Sequence, residues 1–304
     1  MSKSHPAVKL LLILGLALTG TVLFSILGMI LGVLIYHLPI LGNPNILNNV
    51  SDPNVVSALK IIQTASALGT FVIPVLIFAR FNDYKPFSYL KLNRAPRISW
   101  MALAFFAILC ASPLINLMSE LNSRMSLPAA LSGLEKWMKE SEGQAQKMTD
   151  AFLQVSSFSG LLLNLFIIGI LAAVGEELLF RGVIQKLLKE WTKNTHLAVW
   201  LSAIIFSAIH MQFFGFFPRM VIGAMLGYLF EWSGSLYIPM VAHFTNNAVS
   251  VVVSYLIQRN AIPKESETLG SSREDLIAII ISAVLCSALI FLALRLKKKN
   301  IPAC

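Results

Sequence analysis

Residues 160–188 read GLLLNLFIIGILAAVGEELLFRGVIQKLL, an uncharged apolar run from Gly160 to Val174 followed, in one helical pattern, by Glu176, Glu177 and Arg181. An ionised side chain at mid-bilayer costs roughly 2.5 to 3.5 kcal/mol on insertion scales, so three of them facing lipid would forfeit about 7 to 10 kcal/mol. These groups must therefore face protein or trapped water. A helix that is apolar enough for a membrane and still carries two acids and an arginine has to sit inside a bundle.

The remainder of the chain supplies that bundle. Of 304 residues, 56% are hydrophobic and 13% charged, and the apolar residues come in blocks separated by charged loops. Blocks near 20 residues fall at about 10–36, 61–79, 99–118, 158–188, 197–213, 217–232, 236–258 and 275–294, which predicts an all-α polytopic membrane protein with about eight transmembrane helices. The first block is too long for a signal-peptide core and reads as a retained span. The formal net charge of +9 reflects topology and not nucleic-acid binding. With the N-terminus in the cytosol, Lys3, Lys9, Arg80, Lys85, Lys91, Arg94, Arg97, Lys186, Lys189, Lys193, Arg295, Lys297, Lys298 and Lys299 share one side. Arg124, Lys136, Lys139, Lys147, Arg259, Lys264 and Arg273 lie opposite, among many acids. This bias places both termini in the cytosol, in the cell's inner membrane. Cys110, Cys286 and Cys304 have no paired spacing and imply neither a disulfide framework nor a cysteine metal site.

Three regions follow: 1–157, N-terminal spans with an outer amphipathic segment; 158–258, a helical core where ionisable residues enter the spans; and 259–304, an outer loop, a last span and a basic tail. Within the first, Ser132-Gly-Leu-Glu135 reads as a capping box opening an interfacial helix through Trp137. Lys60 and Arg219 read as snorkelling side chains, and Met211 to Phe217 as an aromatic interfacial anchor.

Depth ties the core together. Counting at about 1.5 Å per residue from the basic end of each helix puts Glu176 and Glu177 roughly 20 Å deep, Arg181 roughly 14 Å, His210 roughly 20 Å, His243 roughly 12 Å and Asn247 roughly 18 Å. Three helices thus bring unusual side chains to one layer. Pairs four apart share a face: Glu177 with Arg181, Phe206 with His210, His243 with Asn247. Glu176 points about 100° away from Glu177, so the two acids have different jobs. Glu177 and Arg181 are read as a bracing ion pair, and Phe206 as packing beneath the site. A dry carboxylate near a histidine can take a proton from water, and His243 and Asn247 can donate to the oxyanion that forms. A lone intramembrane histidine is usually a helix-to-helix hydrogen-bonding group; it is the whole constellation that points to chemistry. There is no HExxH, no rhomboid-type GxSG and no phosphate loop.

In order and spacing, EExxxR (Glu176, Glu177, Arg181), FxxxH (Phe206, His210) and HxxxN (His243, Asn247) resemble the CPBP family, the type II CAAX prenyl endopeptidases and bacteriocin-processing proteases, also called lysostaphin-resistance protein A-like. The resemblance covers roughly residues 160–252. It implies an intramembrane endopeptidase with a cavity open to the cytosol, in which Glu176 and His210 bind and activate water, His243 and Asn247 stabilise the oxyanion, and Glu177 and Arg181 brace the site. It also implies a peptide or protein substrate at the lipid bilayer. No cofactor is expected; a Zn²⁺ held by Glu and His ligands is the variant that the family's metalloprotease label leaves open. A proton-coupled transporter and a non-catalytic immunity or interaction protein are the competing classes.

Overall fold

The computed structural model describes residues 4–40, 42–43 and 45–299. Lys3 and Cys304 lie outside them, and so do the side chains of Arg273 and Lys299. Within the described residues the regular elements are all helical: α1 Pro6–Tyr36, α2 Pro53–Asn82, α3 Ile98–Ser123, α4 Ser132–Leu153, α5 Phe158–Thr192, α6 Thr195–Ala208, α7 Phe216–Ser233, α8 Tyr237–Gln258 and α9 Leu276–Lys299, with short turns between them.

Six of these helices, α1, α2, α3, α5, α8 and α9, are long and apolar enough to cross a bilayer. The expected number of eight is not confirmed, because two of the helices in the core are shorter or less apolar than the six. The 14 residues of α6 reach only about 21 Å against a hydrocarbon core of about 30 Å. Helix α7, with Arg219 and Glu231 among its 18 residues, is not one of the six either. The two short helices sit beside α5 and α8, and the space beyond the end of α6 is where the cavity described below forms.

Close backbone approach sets the first helix pair. A Cβ on Gly20 would fall 1.9 Å from the Gly69 carbonyl oxygen, so α1 and α2 meet where neither carries a side chain. Beside that crossing the Thr21 and Thr70 hydroxyls bond at 2.7 Å. The largest apolar cluster runs from Ile13 through Val75 and Phe78 to Leu178, Phe180, Val183 and Leu187, which makes α5 the central helix. A second cluster, Trp100, Leu103, Leu226, Leu229, Ile238 and Ala242, fills the basic end of the bundle between α3, α7 and α8.

Three local expectations are corrected. Lys60 does not snorkel: its Nζ is buried, donates to Asn164 Oδ1 at 2.8 Å and lies 5.8 Å from the centre of the Phe152 ring. Helix α4 begins at Ser132 with no side-chain cap; Glu135 instead accepts from Leu127 N at 3.1 Å and from Lys139 Nζ at 2.7 Å. The aromatic stretch at 211–217 is a docked turn. Asn122 accepts from Phe217 N at 2.9 Å and donates to Phe213 O, Phe214 N donates to Glu142 at 2.9 Å, and the Trp137 ring lies tilted against Phe213 with centroids 5.4 Å apart.

Candidate active site

Helix α5 is not uniformly α-helical. Wider π turns at Leu165–Leu171 and Phe180–Ile184 flank the eight-residue α segment Ala172–Leu179 that carries both glutamates. Such wide turns concentrate at functional sites because they rotate the following side chains and free backbone groups. The first has a visible consequence: the Ala172 N–H turns to Ile167 O and Gly169 O, and not to its α-helical acceptor Ile168 O. Asn247 Nδ2 from α8 donates to Ile168 O at 2.9 Å. Gly175, the residue before the acids, lets α5 approach α2, since a Cβ there would lie 2.9 Å from Phe71 Cβ.

Glu177 faces the interior. Its Oε1 accepts from Arg181 Nη1 at 2.6 Å and from His243 Nδ1 at 2.9 Å, and Arg181 Nη2 continues to Gly223 O at 2.7 Å. Glu177 and Arg181 are 0% and 1% exposed, so the pair is out of reach of solvent. It links α5, α7 and α8 in one charge-assisted knot. Phe206 lies beneath, edge-on to His210 at 5.0 Å and to His243 at 5.8 Å, with the Arg181 guanidinium 5.0 Å from its ring centre.

Glu176 turns the other way and lines a cavity of about 540 Å³ together with Phe206, His210, Arg219, His243, Asn246 and Asn247. Its Oε2 lies 3.8 Å from His243 Nε2 and is buried with no hydrogen-bond partner. The hydrogen bonds fix both imidazole tautomers. His210 Nδ1 is 2.7 Å from the Phe206 carbonyl, which can only accept, and His243 Nδ1 is bound to the carboxylate of Glu177. In their neutral forms both rings carry the proton on Nδ1 and a lone pair on Nε2. In its neutral form His243 has its proton on the nitrogen away from Glu176, and as the imidazolium it carries a donor on Nε2 as well; Asn247 has one amide hydrogen left after Ile168 O.

One residue in the cavity was misread from the sequence. Arg219, expected to snorkel, lines the cavity from the first turn of α7; its Nη2 donates to Gln212 Oε1, and its Nη1 is buried without a partner. An arginine inside the apolar run FFPRMVIGAM carries the same insertion cost as Arg181. That cost was the available signal.

The cavity also has a direction. Its lining extends through Ser112 and Asn116 of α3 and Ser250 and Val253 of α8 to Gln146 of α4 and to Ser266 and Glu267 after α8. Asn116 Nδ2 holds that last segment through Leu269 O at 2.9 Å, and Gly270, at φ +102°, lies against Pro113, where a Cβ would come within 2.4 Å of the carbonyl oxygen. The basic end, closed by the Trp100 and Leu229 cluster, contributes no mouth residues. The cavity therefore runs away from the lysine-rich end that the resemblance would have it face.

Zinc of the catalytic type needs three protein ligands and one open position. Among the described residues no group of three or more His, Cys, Asp or Glu is placed to hold a metal ion, so the donors as arranged do not fit it.

Residues 158–249, which hold all three motifs, match the family described as Type II CAAX prenyl endopeptidase Rce1-like. This segment belongs to the Rce1-like family. Among curated proteins, Uncharacterized protein YpbD of Bacillus subtilis (strain 168) is 36% identical over 90 residues, which is 28% of this chain and 43% of that protein. The alignment thus spans under half the length of the relative. No solved structure matches the chain. The Rce1-like segment and six apolar helices of membrane-spanning length make this an integral membrane protein.

Proposed function

We propose that this protein is a CAAX-type intramembrane endopeptidase that hydrolyses a peptide bond with water activated by Glu176. The observation that carries the reading is the free Oε2 of Glu176, buried at the cavity wall 3.8 Å from His243 Nε2. An unpartnered buried carboxylate oxygen calls for an explanation, and unlike Glu177, whose Oε2 is also unpaired but sealed among helices, Glu176 lines a cavity that can admit water and substrate. A water between Glu176 and the bare Nε2 of His210 would lose its proton to Glu176 as its oxygen bonds the carbonyl carbon. The carbonyl π pair moves onto oxygen, the C–N bond then breaks, and the proton on Glu176 passes to the leaving amine. One water is consumed; a carboxylic acid and an amine leave. Glu177 and Arg181 hold α5, α7 and α8 in register, and His243 is oriented by Glu177.

Substrate access follows from the direction of the cavity. Lysine and arginine bias puts the termini in the cytosol of a cell whose inner membrane holds the protein, and on that orientation the mouth between α4 and 264–268 faces the opposite, external side. The substrate is a peptide or protein segment reaching the site from there.

The test uses purified protein in liposomes, a pooled peptide library and mass spectrometry of the products. Wild type is expected to cleave, Glu176→Gln to lose cleavage by about 10² to 10⁴-fold, and a strong chelator to leave wild type unchanged. Cleavage by Glu176→Gln at the wild-type rate would overturn the assignment. Loss of wild-type cleavage on chelation would replace it with a metal-dependent one.

A further inference from the structure

The cavity wall contains two buried side-chain polar atoms without hydrogen-bond partners, and they are opposite in character: Glu176 Oε2, an acceptor, and Arg219 Nη1, a donor. Their side chains are also within electrostatic range of one another, and His210 lies within range of the same guanidinium. Hydrolysis of an amide needs this combination, a base for the water and a fixed donor for the oxygen that becomes negative.

The other donors in the site are already committed. His243 gives its Nδ1 proton to Glu177, His210 gives its own to Phe206 O, and Asn247 spends one amide hydrogen on Ile168 O. With its Nδ1 proton given to Glu177, His243 has a further donor at Nε2 only as the imidazolium. Arg219 carries a permanent charge, and its other terminal nitrogen is anchored on Gln212 at the docked turn, so the guanidinium plane is held with Nη1 free.

We propose that Arg219 is a catalytic residue of this site, its Nη1 and the remaining Asn247 amide hydrogen binding the oxyanion of the tetrahedral intermediate. The assignment rests on the hydrolase reading above. It adds a permanently charged donor to those that His243 and Asn247 bring to the same cavity. No atoms are transferred to or from Arg219: the developing negative charge is met by hydrogen bonds and returns to the carbonyl when the C–N bond breaks.

The experiment takes a peptide cleaved by wild type in liposomes and compares wild type, Arg219→Lys, Arg219→Gln, Arg219→Ala and Glu176→Gln. Removing one oxyanion donor lowers kcat by about 10² to 10³-fold, so Arg219→Gln and Arg219→Ala are expected to fall by that factor with KM moved far less. Arg219→Lys should keep more activity than Arg219→Gln, and added guanidinium ion should restore part of the Arg219→Ala rate. Equal kcat in wild type and Arg219→Gln, with Glu176→Gln inactive, overturns the role of Arg219 and leaves the hydrolase reading standing. A loss that guanidinium does not relieve, that Arg219→Lys shares in full, and that tracks a lowered thermal midpoint marks a purely structural arginine and also overturns it. Full activity in Glu176→Gln, or no cleavage of any peptide by wild type, overturns both.

Discussion

Glu177 with Arg181, and Glu176 with Arg219, are the same residue types in two settings: the first two are in direct contact on one helix, the second two come from different helices and line one cavity. The first pair is sealed: one carboxylate oxygen takes two donors, the guanidinium reaches a backbone carbonyl, neither residue is more than 1% exposed, and the atoms it leaves unpaired, Glu177 Oε2 and Arg181 Nε, belong to side chains that do not line the cavity. The second is open, with one acceptor and one donor left unpaired on the wall of a 540 Å³ cavity. The difference teaches that in a membrane core cost alone does not identify function, since all four side chains are expensive there. What separates them is where the unpaired atoms lie, in side chains sealed among helices for Glu177 and Arg181 and in side chains that line a cavity for Glu176 and Arg219.

Breaking the open side should silence chemistry and spare the fold. Glu176→Gln is expected to lower the cleavage rate by about 10² to 10⁴-fold with the wild-type elution profile and helix content. Breaking the closed side should do the reverse. Glu177→Ala strands Arg181 as a buried unpaired charge, at a cost of about 3 to 5 kcal/mol, and is expected to appear as a large drop in thermal midpoint and in the yield of folded protein. A folded, inactive Glu177→Ala would erase the distinction.

Lys60 sharpens the comparison from a third position. Its Nζ is paired with Asn164 Oδ1 away from the cavity, so Asn164→Leu should destabilise by about 1 to 3 kcal/mol, and the double change Lys60→Met with Asn164→Leu should recover most of that. Cleavage per folded molecule is expected to stay at the wild-type level in both. If it falls, the boundary between brace and site has been drawn too tightly.

The smallest effect concerns the helix over the mouth. Its hydrogen bonds to Lys139 and then to Leu127 N hold the Glu135 carboxyl below the usual glutamate range. A folded value below the unfolded value of about 4.3 means that this contribution is present above that pH and is lost as pH falls through the folded value. The protection factor of the Leu127 amide, its exchange rate relative to the intrinsic rate at the same pH, should therefore fall at the acid end of the range, whereas an unchanged protection factor would show that Glu135 does not secure the start of α4.

Much of this was legible in the sequence, because helical spacing and insertion cost act locally. The charge in an apolar helix at 176–181 predicted an interior face, the four-residue spacing predicted which side chains meet, and the ion pair of Glu177 with Arg181 needs nothing beyond one turn of helix. What stayed hidden depends on contacts between helices. The π turns of α5 free Ile168 O for Asn247 only because α8 packs there, and no local pattern announces that. Arg219 and Lys60 looked like interfacial lysines and arginines because each stands near the end of an apolar block; their burial comes from α4, α3 and the docked turn closing over them. The closed basic end follows from Trp100 meeting Leu226, Leu229 and Ile238, residues that are far apart in sequence.

Single-turnover cleavage in H₂¹⁸O, with protein in excess over peptide, tests the central claim most directly. Water activated by Glu176 attacks the carbonyl itself, so the new peptide carboxyl is expected to carry one ¹⁸O after the first turnover and the Glu176 side chain none. An unlabelled first-turnover product with ¹⁸O recovered in Glu176 would mean that the carboxylate attacks as a nucleophile, and would contradict the account.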